Sequence, residues 1–353
     1  MSGIFSHPLR VYALATLAPI LLIALGAVFG GFFAIAALIY MTALAYGLDA
    51  VISRTAPTHQ EDETKGAADI LSVTLGLLHF TLLALIVFAL SGGTGLTIGA
   101  TALVFLAAGL FFGQVSNSNA HELIHRGNWA LRTLGKWVYI SLLFGHHASA
   151  HPKVHHRWVA TPDDPNTAQE GDSFYDFVAD AWIGSFVAGY EMEKQDLQRR
   201  SKPGLNPYYI YVLGGFVMLV LAAVIGGIGG LIGYVLLCLH AQIQLLLSDY
   251  VQHYGLLRSK NSEGDYEPVG PKHSWNAPHW FTGHMMLNAP RHSDHHAHPM
   301  RPYPSLAPPS EGEAPILPYS LPMMATIALV PPLWNRVMGR TLKRWHKQQD
   351  QPT

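Results

Sequence analysis

Nine histidines in four tight groups are the residues of this chain best suited to chemistry. They read His121-Glu-Leu-Ile-His125, then His151-Pro-Lys-Val-His155-His156, then a single His253 in Asp249-Tyr-Val-Gln-His-Tyr-Gly255, then His292-Ser-Asp-His295-His296. Imidazole is a common ligand of borderline transition metals. One ion rarely takes more than about four or five protein ligands, so nine point to two ions side by side. Neutral imidazoles leave two divalent ions with little charge compensation, which suits an iron pair that binds and reduces oxygen. Copper and zinc stand above iron in affinity for nitrogen sites, so metal supply would have to select iron.

The spacing assigns roles. His121 and His125 are four apart and leave the same helical face, as two ligands to one ion or one to each of two. The same string fits the His-Glu-x-x-His pattern of zinc proteases, with Glu122 as general base. A protease of that kind needs only one more ligand, which leaves the other histidines surplus. His155 and His156 are neighbours, about 100° apart on a helix, and can address different ions or one ion from two sides. His146 and His147, just upstream, read as supporting or surface residues. Metal-bound imidazole usually donates its second N–H to a carboxylate or carbonyl. Candidates for that role are Glu122, Asp163, Asp164, Asp172, Asp249 and Asp294, although Asp163-Asp164-Pro165 also reads as a turn.

Long apolar segments must position these groups. The chain has 353 residues, 50% hydrophobic and 13% charged, with a mean hydropathy of +0.21. Soluble domains carry about a quarter charged residues. Apolar runs predict six spanning helices, at about 10–28, 31–50, 70–91, 95–115, 209–226 and 229–248. The fold expected is an all-α integral membrane protein with a helical and loop cap carrying the histidines. The turns after spans one, three and five contain no Lys or Arg, and all 22 basic residues lie elsewhere. The positive-inside rule then puts both termini and all four histidine groups in the cytoplasm. The chain divides into four helices (1–115), a cytoplasmic insert (116–207), helices five and six (208–250) and a second cytoplasmic segment with a basic tail (251–353), all one integrated domain. Leu131–Phe144 and Tyr319–Trp334 are expected to be re-entrant or interfacial helices.

Other features narrow the classes. Cys238 is the single cysteine, which excludes a disulfide framework or an iron–sulfur cluster within the chain. A net charge of −1 gives no sign of nucleic-acid binding. No dinucleotide-binding glycine motif opens a βαβ unit, so redox chemistry would draw electrons from another protein. Arg199, Arg200, Lys202 and the tail Arg340–Lys347 could dock an acidic carrier, or anionic membrane lipids. His240 is an ionisable group deep in an apolar span and so a functional suspect. Tyr40, Met41 and Tyr46 are bulky candidates to gate the depth of a path from the bilayer.

The histidine spacing at the ends of membrane hairpins resembles the membrane fatty-acid desaturase and hydroxylase superfamily. Asn119-Ala-His-Glu-Leu-Ile-His-Arg126, His155-His-Arg-Trp-Val-Ala-Thr-Pro-Asp-Asp-Pro165, Asp249-Tyr-Val-Gln-His-Tyr-Gly255, His273-Ser-Trp-Asn276 and Arg291-His-Ser-Asp-His-His-Ala297 are similar to the membrane alkane 1-monooxygenases. The resemblance implies terminal hydroxylation of a medium- to long-chain alkane with molecular oxygen at two iron ions. It implies electrons from rubredoxin, itself served by rubredoxin reductase, and an inner-membrane location. It carries the metal-ligand role onto His121, His125, His151, His155, His156, His253, His292, His295 and His296. Gln252 stands where the family often has Glu, and Ala289-Pro-Arg291 where it often has Leu-Gln-Arg. These departures keep a xylene-type methyl hydroxylase and a fatty-acyl desaturase as alternatives.

Overall fold

A computed structural model describes residues 8–201 and 204–349, so Lys202 lies outside the described residues. Among the described residues there is no strand, only the isolated bridges Lys260–Tyr266 and Asn276–Ile316. The protein is built from helices, and five of them are long and apolar enough to cross a bilayer.

Helix α1 (Arg10–Phe29) passes into α2 (Gly31–Val51) through Gly30 and Gly31, whose φ values of 62° and 49° only glycine takes without strain. Helix α2 contains a π-turn at Tyr40–Leu44. Helix α3 (Glu61–Leu90) starts earlier than its apolar run predicts. Glu61, Asp62 and Glu63 sit in its first turn, where carboxylates complement the helix dipole and extend the helix beyond the greasy segment.

Helix α4 (Ile98–Ile124) also outruns its predicted end at 115, and so carries the first histidine group. Its polar last third remains helical because partners wait for it. Asn119 Nδ2 donates to the Ser72 carbonyl at 2.9 Å, and Ser116 Oγ lies 3.0 Å from His79 Nδ1. A π-turn at Phe112–Ser116 shifts the register of that third.

The last long element, α8 (Tyr208–His253), is helical by hydrogen bonding across 46 residues but breaks at Gly226 and Gly227, where φ and ψ leave the helical region. The chain reverses there. Tyr211 reaches Ser149 (2.7 Å) while Tyr234 and Gln242 donate to the carbonyls of Ser141 and Leu142, both at 2.7 Å. In a straight helix, residues 211 and 242 would be ~46 Å apart and could not grip the same short segment.

Between the long helices lie α5 (Trp129–Ser141), a helical turn at 147–158 designated α6, and α7 (Phe174–Arg199). After α8 come α9 (Trp280–Met285), α10 (His292–Ala297), α11 (Leu321–Ala328) and α12 (Pro331–Gln349). The expected helix at Leu131–Phe144 is therefore α5, which presents exposed Trp129 and Trp137 on one side. The apolar stretch Tyr319–Trp334 is not one helix: it holds α11, a break at Leu329 and Val330, and the first turn of α12, which Pro331 opens. Helix α12 buries Trp334, Met338, Leu342 and Trp345, with Trp334 against Tyr250 at 5.0 Å. Its opposite face, with Arg336, Arg340, Lys343, Arg344 and Lys347, is exposed.

Candidate metal centre

Four segments converge at one end of the bundle. The end of α4 supplies His121 and His125, α6 supplies His151, His155 and His156, the end of α8 supplies His253, and α10 supplies the rest. Residues 151–155 form a π-turn, in which one turn separates residues five apart rather than four. That brings His151 and His156 together, Nε2 to Nε2 at 3.0 Å, and leaves His155 on another side. In α10 ordinary α spacing pairs His292 with His296 at 3.1 Å and turns His295 the other way.

All nine imidazoles fall into two groups that share a wall. His121, His125, His151, His156 and His295 offer nitrogens within 4.8 Å of one another, and His155, His253, His292 and His296 do the same. In the first, His151 Nε2 lies 2.8 Å from His121 Nε2, and His295 Nε2 lies 3.1 Å from His156 Nε2. In the second, His253 and His292 Nε2 are 2.9 Å apart. Nitrogens bound ~2.1 Å from one ion at a right angle to each other lie ~3.0 Å apart, so both groups fit metal ligation. His125 Nε2 and His155 Nε2 are buried and have no protein partner, the signature of atoms reserved for a ligand. The groups touch through His156 and His296, whose rings are 4.5 Å apart.

Electrostatics agree. Burial pushes His125, His151, His156, His292, His295 and His296 below the ordinary imidazole range, and mutual repulsion adds to it. Neutral rings keep a lone pair for a metal. His155 differs: burial opposes its charge, but the Asp164 carboxylate 2.9 Å from Nδ1 overrides this and raises its pKa. Asp164 also accepts from Thr167 Oγ1 at 2.7 Å, so the ring is held with Nε2 toward the second group.

The other carboxylates expected to support the imidazoles take varied positions. Asp249 is buried, accepts from Asn166 Nδ2 at 2.7 Å, and lines a small cavity between the groups. Glu122 is engaged through Oε1, which pairs with Arg126 (2.9 Å) and accepts from the Tyr303 N–H (3.1 Å). Asp294 is occupied by Arg301 (2.6 and 2.7 Å), His298 and the Ala307 N–H. Asp172 accepts from the Gln169 N–H at 3.0 Å within its loop, and Asp163 is exposed in the turn before Asp164. His146 and His147 are not surface residues. Both are buried, and His147 stacks on His151 at 4.9 Å.

One cavity is lined by the imidazoles, and a second is lined by neighbouring turns of α4 and α8. The inner one, of about 30 Å³, is bounded by His121, His147, His151 and His292 together with Leu245, Ser248, Asp249, Gln252, Met286 and Ala289. The outer one, of about 330 Å³, opens between α2, α4, α8 and α11. Met41 and Tyr46 line it; Tyr40 instead donates to the Ala15 carbonyl at 3.1 Å on the far side of α2. His240 does not line it, but its Nε2 lies 3.4 Å from Gln244, which does. Sequence reasoning overlooked Gln114 and Gln244, although amides inside apolar runs are a legible signal. It also passed over Arg291, buried and donating to Thr58 Oγ1 and to the carbonyls of Ala56 and Leu306, which fixes the start of α10.

An all-helical, multi-pass bundle with a two-part histidine site at one end defines a membrane metalloenzyme architecture. A fatty acid desaturase family model matches residues 96–327, and the chain belongs to that family. The chain is 35% identical to an alkane 1-monooxygenase from Ectopseudomonas oleovorans, over 71% of this chain and 62% of that protein. It is 30% identical to alkane 1-monooxygenase 2 from Alcanivorax borkumensis, over 69% and 64%. It is 28% identical to a xylene/toluene monooxygenase hydroxylase component from Pseudomonas putida, over 66% and 62%. The chain thus spans somewhat less than two thirds of these relatives.

Proposed function

We propose that this protein hydroxylates the terminal methyl of alkanes drawn from the bilayer, using molecular oxygen. The observation that carries the proposal is the pair of adjoining imidazole groups beside a small, partly apolar cavity. His121, His125, His151, His156 and His295 would hold one iron ion, and His155, His253, His292 and His296 a second. Such an ion pair supplies oxygen activation and the cleavage of an unactivated C–H bond.

The protein's own residues do the rest. Met41, Leu110, Leu247 and Met323 line an apolar approach for the chain. Leu245, Met286 and Ala289 surround the end of that chain and exclude water. Asp164 holds one ligand ring at a fixed angle. An alkane offers no charge to grip, so the depth of the approach sets which carbon reacts.

The topology belongs to the same proposal. The two arms of α8 make a fifth and a sixth crossing, and the charge bias puts both termini and the imidazoles on the cytoplasmic side of the inner membrane. Electrons come from rubredoxin, docked on the basic face of α12 or beside Arg199 and Arg200. The similarity to a xylene/toluene monooxygenase component supports a second reading, in which an aromatic methyl is the target. Metal analysis of purified protein, with oxygen uptake and product identification on octane, a longer alkane and xylene, tests all of this. Two irons and a 1-alkanol support the first reading. Zinc, or no oxygen uptake with any of the three, ends both.

A further inference from the structure

An alkane tunnel has no use for polar groups, yet the outer cavity is lined by Thr42, Thr282, Ser320, Thr326, Gln114 and Gln244. The threonine hydroxyls are already committed. Thr42 donates to the Leu38 carbonyl (2.6 Å), Thr326 to that of Pro322 (2.9 Å), and Thr282 to the Asp49 carboxylate. Gln244 is committed as well: its Oε1 accepts from Gln114 Nε2 at 3.3 Å, and its Nε2 lies 3.4 Å from His240 Nε2. Of the two amide groups, one buried acceptor is left over. Gln114 is 5% exposed, and its Oε1 is buried without a hydrogen-bond partner.

An unmade acceptor is costly in any interior, and more so where no bulk water can reach it. Gln114 lines the outer cavity, one turn of helix before the residues that line the inner one. Leu110 and Gln114 line the outer one, and Asn117, Ser118 and His121, the next turns of the same helix, line the inner one. Seven residues of helix put Gln114 ~10 Å from His121 along the path. A hydrocarbon filling that path leaves this amide oxygen unpaired. A chain carrying an O–H at that depth satisfies it.

We infer that Gln114 is a specificity-determining residue that accepts a hydrogen bond from a hydroxyl on the substrate chain. The preferred substrate class is then a primary alcohol, bound hydroxyl outward and methyl toward the imidazoles. This rests on the hydroxylase reading above. One oxygen atom of O2 enters the terminal C–H bond and gives an α,ω-diol. The other leaves as water, with two protons from solvent and two electrons delivered singly by the carrier protein.

The test is a ratio. The full chain in lipid nanodiscs, loaded with metal and supplied with its electron donor, is given matched 1-alkanols and n-alkanes from hexyl to dodecyl. Wild type is expected to favour the alkanol at one chain length and to yield the diol. Gln114→Leu should lower the alkanol-to-alkane ratio of kcat/KM about tenfold (about 1.4 kcal/mol). Because it is a ratio, it does not depend on the fraction of active protein. Gln114→Met gives the same comparison should the Leu variant not assemble. A ratio unmoved by the substitution overturns the inference and leaves the hydroxylase reading standing. No oxygen-dependent product from wild type with either substrate overturns that reading too.

Discussion

Asp164→Asn isolates the contribution of one carboxylate to one half of the metal centre. Asp164 and His155 are both almost wholly buried, and they meet at 2.9 Å. Asparagine keeps the shape and an acceptor oxygen but removes the charge that holds the His155 N–H and makes its ring a stronger donor. Partners of this kind are worth roughly 10- to 100-fold in metal affinity, or about 1.4–2.7 kcal/mol. His155 is one of four imidazoles in its group, and none of the five in the other group touches Asp164. The variant should therefore lose one ion of two to a competing chelator at concentrations that leave wild type fully loaded. The assay is elemental analysis after chelator titration, with circular dichroism as the folding control. Equal retention of both ions in variant and wild type refutes the role given to Asp164. Loss of both ions in step refutes the assignment of His155 to a separate group.

Other outcomes follow from the same geometry. Burial depresses six of the imidazoles below the ordinary value of 6.5, so without metal the unfolded chain binds more protons just below that pH. The metal-free protein should lose stability as pH falls through 6.5 toward 5, read as a falling Tm in detergent, with His155 alone opposing the trend. Met41→Trp fills part of the 330 Å³ outer cavity and should cut turnover of the longest alkanes while sparing short ones; an unchanged chain-length profile rejects Met41 as a gate. Reversing Arg340, Lys343 and Arg344 to Glu should slow rubredoxin-driven turnover at low salt and flatten its ionic-strength dependence. Turnover with a small chemical reductant is the control and should stay constant.

The sequence made the histidines legible because chemistry of this kind needs rare residues in quantity, and their spacing is local. Which imidazole joins which group was not legible. Spacing was read on α-helical geometry, whereas a π-turn at His151–His155 pairs His151 with His156 instead. The carboxylates were harder still. Glu122 and Asp294 lie next to histidines in sequence, but Arg126 and Arg301, placed by tertiary packing, engage them. The long helices were found by hydropathy, but α4 ran nine residues past its apolar stretch because Asn119 finds Ser72 across the bundle. That contact is invisible to any window along one segment.

The interleaving of the two imidazole groups has a mechanical consequence. Helices α6 and α10 each send rings to both groups, so neither segment can rotate for one ion without disturbing the other. Seating an ion in either group would freeze two struts that also frame the other, so the neighbouring rings would be held in place before their own ion arrives.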